Sequence, residues 1–171
     1  MRRPRSNAAR YADETDDRQR QLTPAYILEP IRKDLGSIEL DPCTEPDNPT
    51  GASRFYCPPA DGLALPWDAE TIFVNPPYGR AKDRWIARCT EAGRAGSSVV
   101  LLIPAATDIT SWQQAGRSAG AVVLVEGRIR FGRLRPNRRE ETASHPSSLF
   151  FWNVDPIASA QLGLWLTKGD D

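Results

Sequence analysis

Short aliphatic runs alternate with amphipathic stretches along the chain and predict alternating strands and helices. Aliphatic runs at residues 71–74, 98–103 and 121–125 are bounded by turn residues and predict buried strands. Two stretches between them, residues 82–94 and 109–119, carry apolar side chains at helical spacing and predict helices. This order indicates an α/β fold, with a mostly parallel sheet that carries helices on both faces.

Weaker patterns precede and follow these elements. Thr23 and Pro24 predict the N-cap and the first residue of a helix that ends before Gly36, and Pro30 should kink or split that helix. Three further strands are predicted, at residues 37–40, 54–57 and 149–153. Residues 132–148 read as a long polar loop, a kind of segment that is usually functional or disordered.

Composition is that of one globular domain: 171 residues, 40% of them hydrophobic, with 22 basic and 22 acidic side chains. The longest aliphatic run, residues 99–103, is far shorter than the roughly 20 residues of a membrane-spanning helix. No apolar stretch follows the basic N-terminus, so we expect a cytoplasmic protein without a membrane partner. Residues 1–20 carry little apolar surface and predict a disordered arm, and residues 21–168 a single domain.

The small number of cysteine and histidine residues limits which metal sites and catalytic groups are possible. The three cysteines show no C-x-x-C spacing and His145 is the single histidine, so we expect no metal site. The same scarcity argues against hydrolases built on Ser-His or Cys-His pairs, while carboxylate chemistry stays open.

Arginine is concentrated in one part of this uncharged chain. Six arginines lie within residues 128–139, most of them in the predicted polar loop. Such a cluster can bind phosphates even when the net charge is zero, because the local field matters more than the sum. A solvated surface loop explains the same pattern equally well.

The tetrapeptide Asn75-Pro76-Pro77-Tyr78 directly follows a predicted strand and suggests a specific chemistry. An exocyclic amine on an aromatic ring is a poor nucleophile, because its lone pair is delocalised. The Asn75 side-chain oxygen and the Pro76 carbonyl can each accept one N–H, which stabilises the charge that develops on nitrogen during methyl transfer. Pro77 stiffens the loop, and the Tyr78 ring offers a stacking face for a flipped base. The alternative is a rigid turn in which the asparagine only bonds its own backbone.

This motif resembles the catalytic motif of amino-directed, S-adenosylmethionine-dependent methyltransferases. The match extends over roughly residues 22–153 and more narrowly resembles the phage-type DNA N6-adenine methyltransferase family (Dam-like). It rests on Thr23-Pro24, Asp41-Pro42-Cys43, Asp61-Gly62-Leu63, Trp67, the motif itself with Gly79, Trp85, Gly127-Arg128-Ile129 and Phe131.

The resemblance implies an abbreviated Rossmann-like class I methyltransferase fold that binds S-adenosylmethionine beside Asn75 and acts on double-stranded DNA. It assigns six residues to the cofactor: Thr23, Pro24, Asp41, Pro42, Cys43 and Asp61, the last at the adenine end. It also assigns DNA contacts to four arginines of the loop: Arg133, Arg135, Arg138 and Arg139. No glycine-rich loop follows the first strand, so the acid that would hold the ribose is open between Glu45 and Asp47.

Other functions fit the same residues. The motif also serves methylation of RNA bases, of cytosine N4 and of protein glutamine amides, all of which present a planar nitrogen. The abbreviated cofactor region is also compatible with a nucleic-acid-binding module that has lost catalysis. The sequence gives neither a recognition site nor the oligomeric state.

Overall fold

The computed structural model describes residues 21–132 and 141–167. The predicted arm at residues 1–20 and the four arginines assigned to DNA contact lie outside this part of the chain. The strands are β1 (Leu40–Asp41), β2 (Arg54–Phe55), β3 (Thr71–Val74), β4 (Ser98–Pro104), β5 (Ala121–Val125), β6 (Arg130–Phe131), β7 (Glu141–Thr142), β8 (Ser147–Trp152) and β9 (Gly163–Thr167). The helices are α1 (Ala25–Leu35), α2 (Lys82–Arg94) and α3 (Thr110–Ser118), with a short 3-10 helix at Ser159–Leu162.

Seven of these strands form one sheet in the order β2-β1-β3-β4-β8-β5-β9. The first four pair in parallel, whereas β8 is antiparallel to both of its neighbours and β9 is antiparallel to β5. Strands β6 and β7 form a separate antiparallel ribbon. The α/β prediction is therefore confirmed, with the parallel pairing confined to the half of the sheet that contains β1 and β3.

Strand β4 lies at the centre of the sheet because its aliphatic run can be buried on both faces. Leu102 belongs to the same core cluster as Ile27 and Ile31 of α1. Leu101 belongs to a second cluster, on the other face, with Trp85 of α2. Helices thus cover both faces, as predicted. Within the described ranges, no helix combines the length and the apolar character that a membrane crossing requires.

Helix α1 differs from its prediction at two points. Pro24 takes the N-cap position without any side-chain cap, and the Thr23 hydroxyl instead accepts a hydrogen bond from Asn75. The helix is also not split at Pro30, which lies on its buried face. The carbonyl that loses its helical donor there belongs to Tyr26, an exposed residue, where water can supply the missing bond.

The described part of the chain after β5 contains more strands than the sequence predicts. The predicted loop at residues 132–148 is shortened from its C-terminal side, because β7 pairs with β6 and β8 already begins at Ser147. Strand β9 has no counterpart among the predicted elements, since its short apolar run is stabilised by pairing with the distant β5. In contrast, the bounds predicted for β3, α2 and β5 are confirmed.

Candidate active site

Two of the loops singled out in the sequence meet at one edge of the sheet. Strands β1 and β3 are parallel neighbours, so their carboxyl ends lie side by side. Asp41 ends β1 and Asn75 follows β3, and both line a cleft at this edge.

The structure brings half of the predicted catalytic and cofactor residues together. The cleft is lined by Thr23, Asp41, Cys43, Asn75 and Pro77. Chain neighbours of these lining residues are Pro24, Pro42, Pro76 and Tyr78. Asp61 is neither a lining residue of the cleft nor a chain neighbour of one.

Both the nitrogen and the oxygen of the Asn75 side-chain amide make hydrogen bonds. Its Nδ2 donates to the Gln21 carbonyl at 2.8 Å and to the Thr23 hydroxyl at 3.0 Å. Its Oδ1 accepts a hydrogen bond from the Tyr78 hydroxyl at 3.0 Å. A carbonyl oxygen has two lone pairs, so Oδ1 can accept one further hydrogen bond.

Tyr78 closes the loop against the core. Its ring meets Phe131 edge to face, with 6.3 Å between the ring centroids. Burial raises the pKa of the phenol above its ordinary value, and the nearby Cys43 adds to this shift. The hydroxyl therefore stays protonated and keeps donating to Asn75, a role that the sequence did not reveal.

Asp41 is a buried carboxyl group at the floor of the cleft. Its oxygens accept hydrogen bonds from the Cys43 backbone N–H at 3.1 Å and from the Thr50 hydroxyl at 2.8 Å. Burial raises the pKa of Asp41 from 3.8 to about 6, although these hydrogen bonds act in the opposite direction. Asp41 is therefore largely ionised at neutral pH and carries a negative charge with little solvation.

The cysteines of this region are protonated thiols. Burial raises the pKa of Cys43 well above its ordinary value, and the charge of Asp41 adds to the effect. Burial likewise raises the pKa of Cys89. Because the thiolate is the reactive form, neither residue is suited to act as a nucleophile at neutral pH.

The cleft contains polar residues that sequence reasoning missed or left open. Glu45 is buried and lines the cleft, whereas Asp47 is exposed and does not. Gln21 also lines the cleft, and its buried Oε1 has no hydrogen-bond partner among the described residues. An acid four residues after the strand-ending Asp41 is the sequence signal that points to Glu45, but nothing in the sequence marks Gln21.

The loop that contains Asp61 supports the floor of the cleft. Asp61 Oδ1 accepts a hydrogen bond from the Leu63 backbone at 3.0 Å, which fixes a turn. A Cβ atom on Gly62 would lie 1.7 Å from the Pro42 carbonyl oxygen, so only glycine permits this approach. The Trp67 indole N–H then donates to the Gly62 carbonyl at 2.8 Å. The loop is thereby fixed against the residue that follows Asp41.

The β6–β7 ribbon lies beside the Asn75 loop. Phe131 of β6 contacts Tyr78, and Gly132 pairs with Leu22 through two backbone hydrogen bonds. Arg128 donates to the carbonyls of Ala143 and Ser144, so this arginine is occupied in holding the ribbon. The predicted arginine loop therefore starts next to the segment that binds Asn75.

Comparison with known protein families adds the observation that decides the identity. The family model described as DNA N-6-adenine-methyltransferase (Dam) matches residues 11–161. The chain belongs to the Dam family. Among curated proteins, no sequence matches it significantly. As a Dam-family protein it is an adenine-specific DNA methyltransferase, and methyltransferases of this family use S-adenosylmethionine.

The residues of the cleft fit the methyl donor of the Dam family. S-adenosylmethionine carries sulfonium and ammonium charges together with hydroxyl and amino donors. The cleft offers the carboxylates of Asp41 and Glu45 and the unpartnered Oε1 of Gln21, all of which are acceptors. Ligands of α/β sheets bind at the carboxyl ends of the strands, which is where this cleft lies.

Proposed function

We propose that the Asn75–Tyr78 loop binds the amino group of a flipped-out adenine while the methyl donor occupies the adjoining cleft. The observation that carries this proposal is the orientation of Asn75. Its oxygen has a lone pair left for a substrate N–H, at the edge of a cleft whose acceptors suit a cationic cofactor. The motif would therefore adjoin the proposed cofactor site, a proximity that in-line methyl transfer requires.

The proposed chemistry uses this chain to make the adenine nitrogen nucleophilic. Asn75 Oδ1 and the Pro76 carbonyl each accept one N–H of the amino group and draw its lone pair out of conjugation. S-adenosylmethionine, when bound beside the loop, would supply an electrophilic methyl group to this nitrogen and leave as the thioether. Asn75 is not a base, so the extra proton on nitrogen passes to water. The Tyr78 ring is the proposed stacking face for the flipped base, and its hydroxyl donates to the Asn75 oxygen and keeps it in place.

The proposed cofactor contacts come from three segments. Thr23 lines the cleft just before α1, with Pro24 next to it in the chain, and Asp41 and Cys43 line it at the end of β1, with Pro42 between them. We assign the ribose hydroxyls to Glu45 rather than Asp47, because Glu45 is the buried lining residue of the two. Asp61 keeps its proposed place at the adenine end of the cofactor, outside the cleft described above.

DNA contact is proposed for the arginine loop. Arg133, Arg135, Arg138 and Arg139 follow Gly132, whose backbone pairs with Leu22 next to the residues that bind Asn75. A basic loop at this position can bind the phosphates that flank the flipped base.

The experiment that tests the proposal is transfer of tritiated methyl from S-adenosylmethionine to unmethylated DNA. We expect Asn75→Ala to lower the rate at least about 100-fold, because a preorganised acceptor of the developing charge is removed. Cofactor affinity measured by calorimetry should stay close to that of the wild type. Gln114→Ala, which removes an exposed amide from α3, is the matched control and should transfer at the wild-type rate.

The other outcomes separate the alternative functions. Cofactor binding without transfer to DNA would refute the DNA substrate and direct the search to RNA bases or protein glutamine amides. Absence of both transfer and cofactor binding would favour the non-catalytic nucleic-acid-binding module. Full activity of Asn75→Ala would refute the role of this residue whatever the substrate.

A further inference from the structure

Asn75 takes its orientation from residues far away in the chain. Both of its Nδ2 hydrogens have acceptors on the segment that precedes α1, namely the Gln21 carbonyl and the Thr23 hydroxyl. The sequence predicts a helix cap for Thr23, but α1 has no side-chain cap. The Thr23 hydroxyl is therefore available for the asparagine.

This arrangement permits only one orientation of the amide. The Gln21 carbonyl has no hydrogen to donate, so the atom of Asn75 that faces it at 2.8 Å must be the nitrogen. A flipped amide would place two acceptor oxygens against each other and would leave the Tyr78 hydroxyl facing an N–H donor. The oxygen of Asn75 thus points away from Gln21 and Thr23.

The segment that holds Asn75 is itself fixed on both sides. Leu22 exchanges two backbone hydrogen bonds with Gly132, at 3.2 and 3.0 Å. The Pro24 carbonyl accepts from the backbone N–H groups of Ile27 and Leu28 in the first turn of α1. Ile27 is fully buried, which fixes that turn to the core. Thr23 therefore has a defined position relative to the Asn75 loop.

We propose that Thr23, together with the Gln21 carbonyl, is a positioning group that fixes the Asn75 amide with its oxygen towards the substrate amine. The proposal rests on the function proposed for Asn75. Thr23 acts through the asparagine, so it should affect the rate of the chemical step. A misplacement of about 1 Å in such a group can lower a rate by about 100-fold.

The test compares Thr23→Val, which keeps the shape but removes the hydroxyl, with Thr23→Ser, which retains it. At saturating cofactor and DNA we expect the single-turnover rate of Thr23→Val to fall about 10- to 100-fold. Thr23→Ser should stay near the wild-type rate. Because Thr23 also lines the proposed cofactor cleft, the rates are compared at saturating cofactor, where a change in cofactor affinity does not affect them. Thr90→Val is the matched control, because this half-buried threonine of α2 has its hydroxyl 3.5 Å from Ser118 Oγ and belongs to neither proposed site.

A second measurement reports on the amide without any activity. In a ¹⁵N-labelled protein, the side-chain signals of Asn75 are identified by their loss in Asn75→Ala. We expect one of the two Nδ2 hydrogens to shift upfield and exchange faster in Thr23→Val, and neither to do so in Thr23→Ser.

Two results would overturn the positioning role. One is a wild-type rate for Thr23→Val with unchanged Asn75 signals. The other is a loss of cofactor affinity with a normal rate at saturation, which would make Thr23 a binding residue only. If the wild-type protein transfers no methyl group to DNA, the proposed function fails, whereas the Asn75 signals still decide whether Thr23 holds the amide.

Discussion

Asp41 is a carboxyl group whose surroundings disfavour its charge. It is almost fully buried at the end of β1, and desolvation outweighs the hydrogen bonds from Cys43 and Thr50. A charge kept in such a place costs folding stability, and a cationic ligand beside it would recover part of that cost. At the residue scale, Asp41 is therefore better suited to bind a ligand than to stabilise the fold.

The pH dependence of stability tests this description. The pKa of Asp41 rises from 3.8 to about 6 on folding, so the folded state binds more protons than the unfolded state between these values. The contribution of Asp41 to the free energy of unfolding then falls as pH rises from about 4 to 6 and stays low above that. We expect Asp41→Asn to be about 1–3 kcal/mol more stable than the wild type at pH 7 and to lose this advantage near pH 4.

Urea denaturation of both proteins across this pH range measures the difference. Asp68→Asn is the matched control, because Asp68 is exposed and pairs with Arg54 at the surface, where an ion pair contributes little. If the free energy of unfolding has the same pH profile in the wild type and in Asp41→Asn, burial does not destabilise the charged form of Asp41.

At the scale of elements, the Gly62 loop holds the end of β1 in place. The backbone of Gly62 contacts the Pro42 carbonyl, and Trp67 fixes the loop by donating to Gly62. Trp67 in turn packs against Trp85 of α2, with 6.0 Å between the ring centroids. The position of the cleft floor therefore depends on a contact that tolerates no side chain.

Gly62→Ala should destabilise the protein by about 2–3 kcal/mol, since the new methyl group would overlap the Pro42 carbonyl and force the backbone apart. Cofactor affinity should fall as well. Gly116→Ala is the control, because its new methyl group would lie 3.8 Å from Phe150 and glycine is unfavourable within α3. That variant should be about 0.5–1 kcal/mol more stable than the wild type in thermal unfolding. Equal stability of Gly62→Ala and the wild type would contradict the contact.

Local sequence patterns predict an element correctly when the residues of that element alone determine whether it is a buried strand or an amphipathic helix. Strands β3 and β5 and helix α2 are predicted with their observed bounds, because uniform aliphatic runs and an amphipathic stretch leave little choice. Strand β9 is not predicted, because its stability comes from pairing with β5.

In the candidate site, too, some features follow from local sequence patterns and others depend on contacts with distant residues. The motif and the loop after β1 are visible in the sequence, and parallel pairing brings them to one edge. The sequence also predicts a cap for Thr23, because a threonine before Pro24 has the local pattern of a helix start. Its actual partner, Asn75, lies 52 residues away, and no local pattern encodes that contact.

At the scale of the whole molecule, the proposed DNA contacts form a local cluster of positive charge in a chain with no net charge. The 22 basic and 22 acidic side chains cancel, yet residues 133–139 contain four arginines and no acid. This stretch follows Gly132, which the β6–β7 ribbon and Leu22 hold beside the Asn75 loop. These arginines would make the field positive at the proposed DNA contact although the molecule is neutral.

Replacing Arg133, Arg135, Arg138 and Arg139 by glutamine should weaken DNA binding and flatten its salt dependence. The slope of log affinity against log salt should drop by about 0.9 for each phosphate that the variant no longer neutralises. Cofactor affinity should not change. Fluorescence anisotropy at several salt concentrations measures the slope, with Arg94→Gln/Arg117→Gln on α2 and α3 as the control. If the control variant loses as much DNA affinity, the loss comes from removing positive charge anywhere on the protein, and the four arginines of the loop have no special role.

We propose that Asn75 directs methylation to adenine N6 in DNA. The most direct measurement is nucleoside mass spectrometry of DNA from cells that lack adenine methylation and express either the wild-type protein or Asn75→Ala. We predict N6-methyldeoxyadenosine with the wild type and none above background with the variant. Methylation of cytosine N4 instead, or equal N6-methyldeoxyadenosine with both proteins, would contradict the claim.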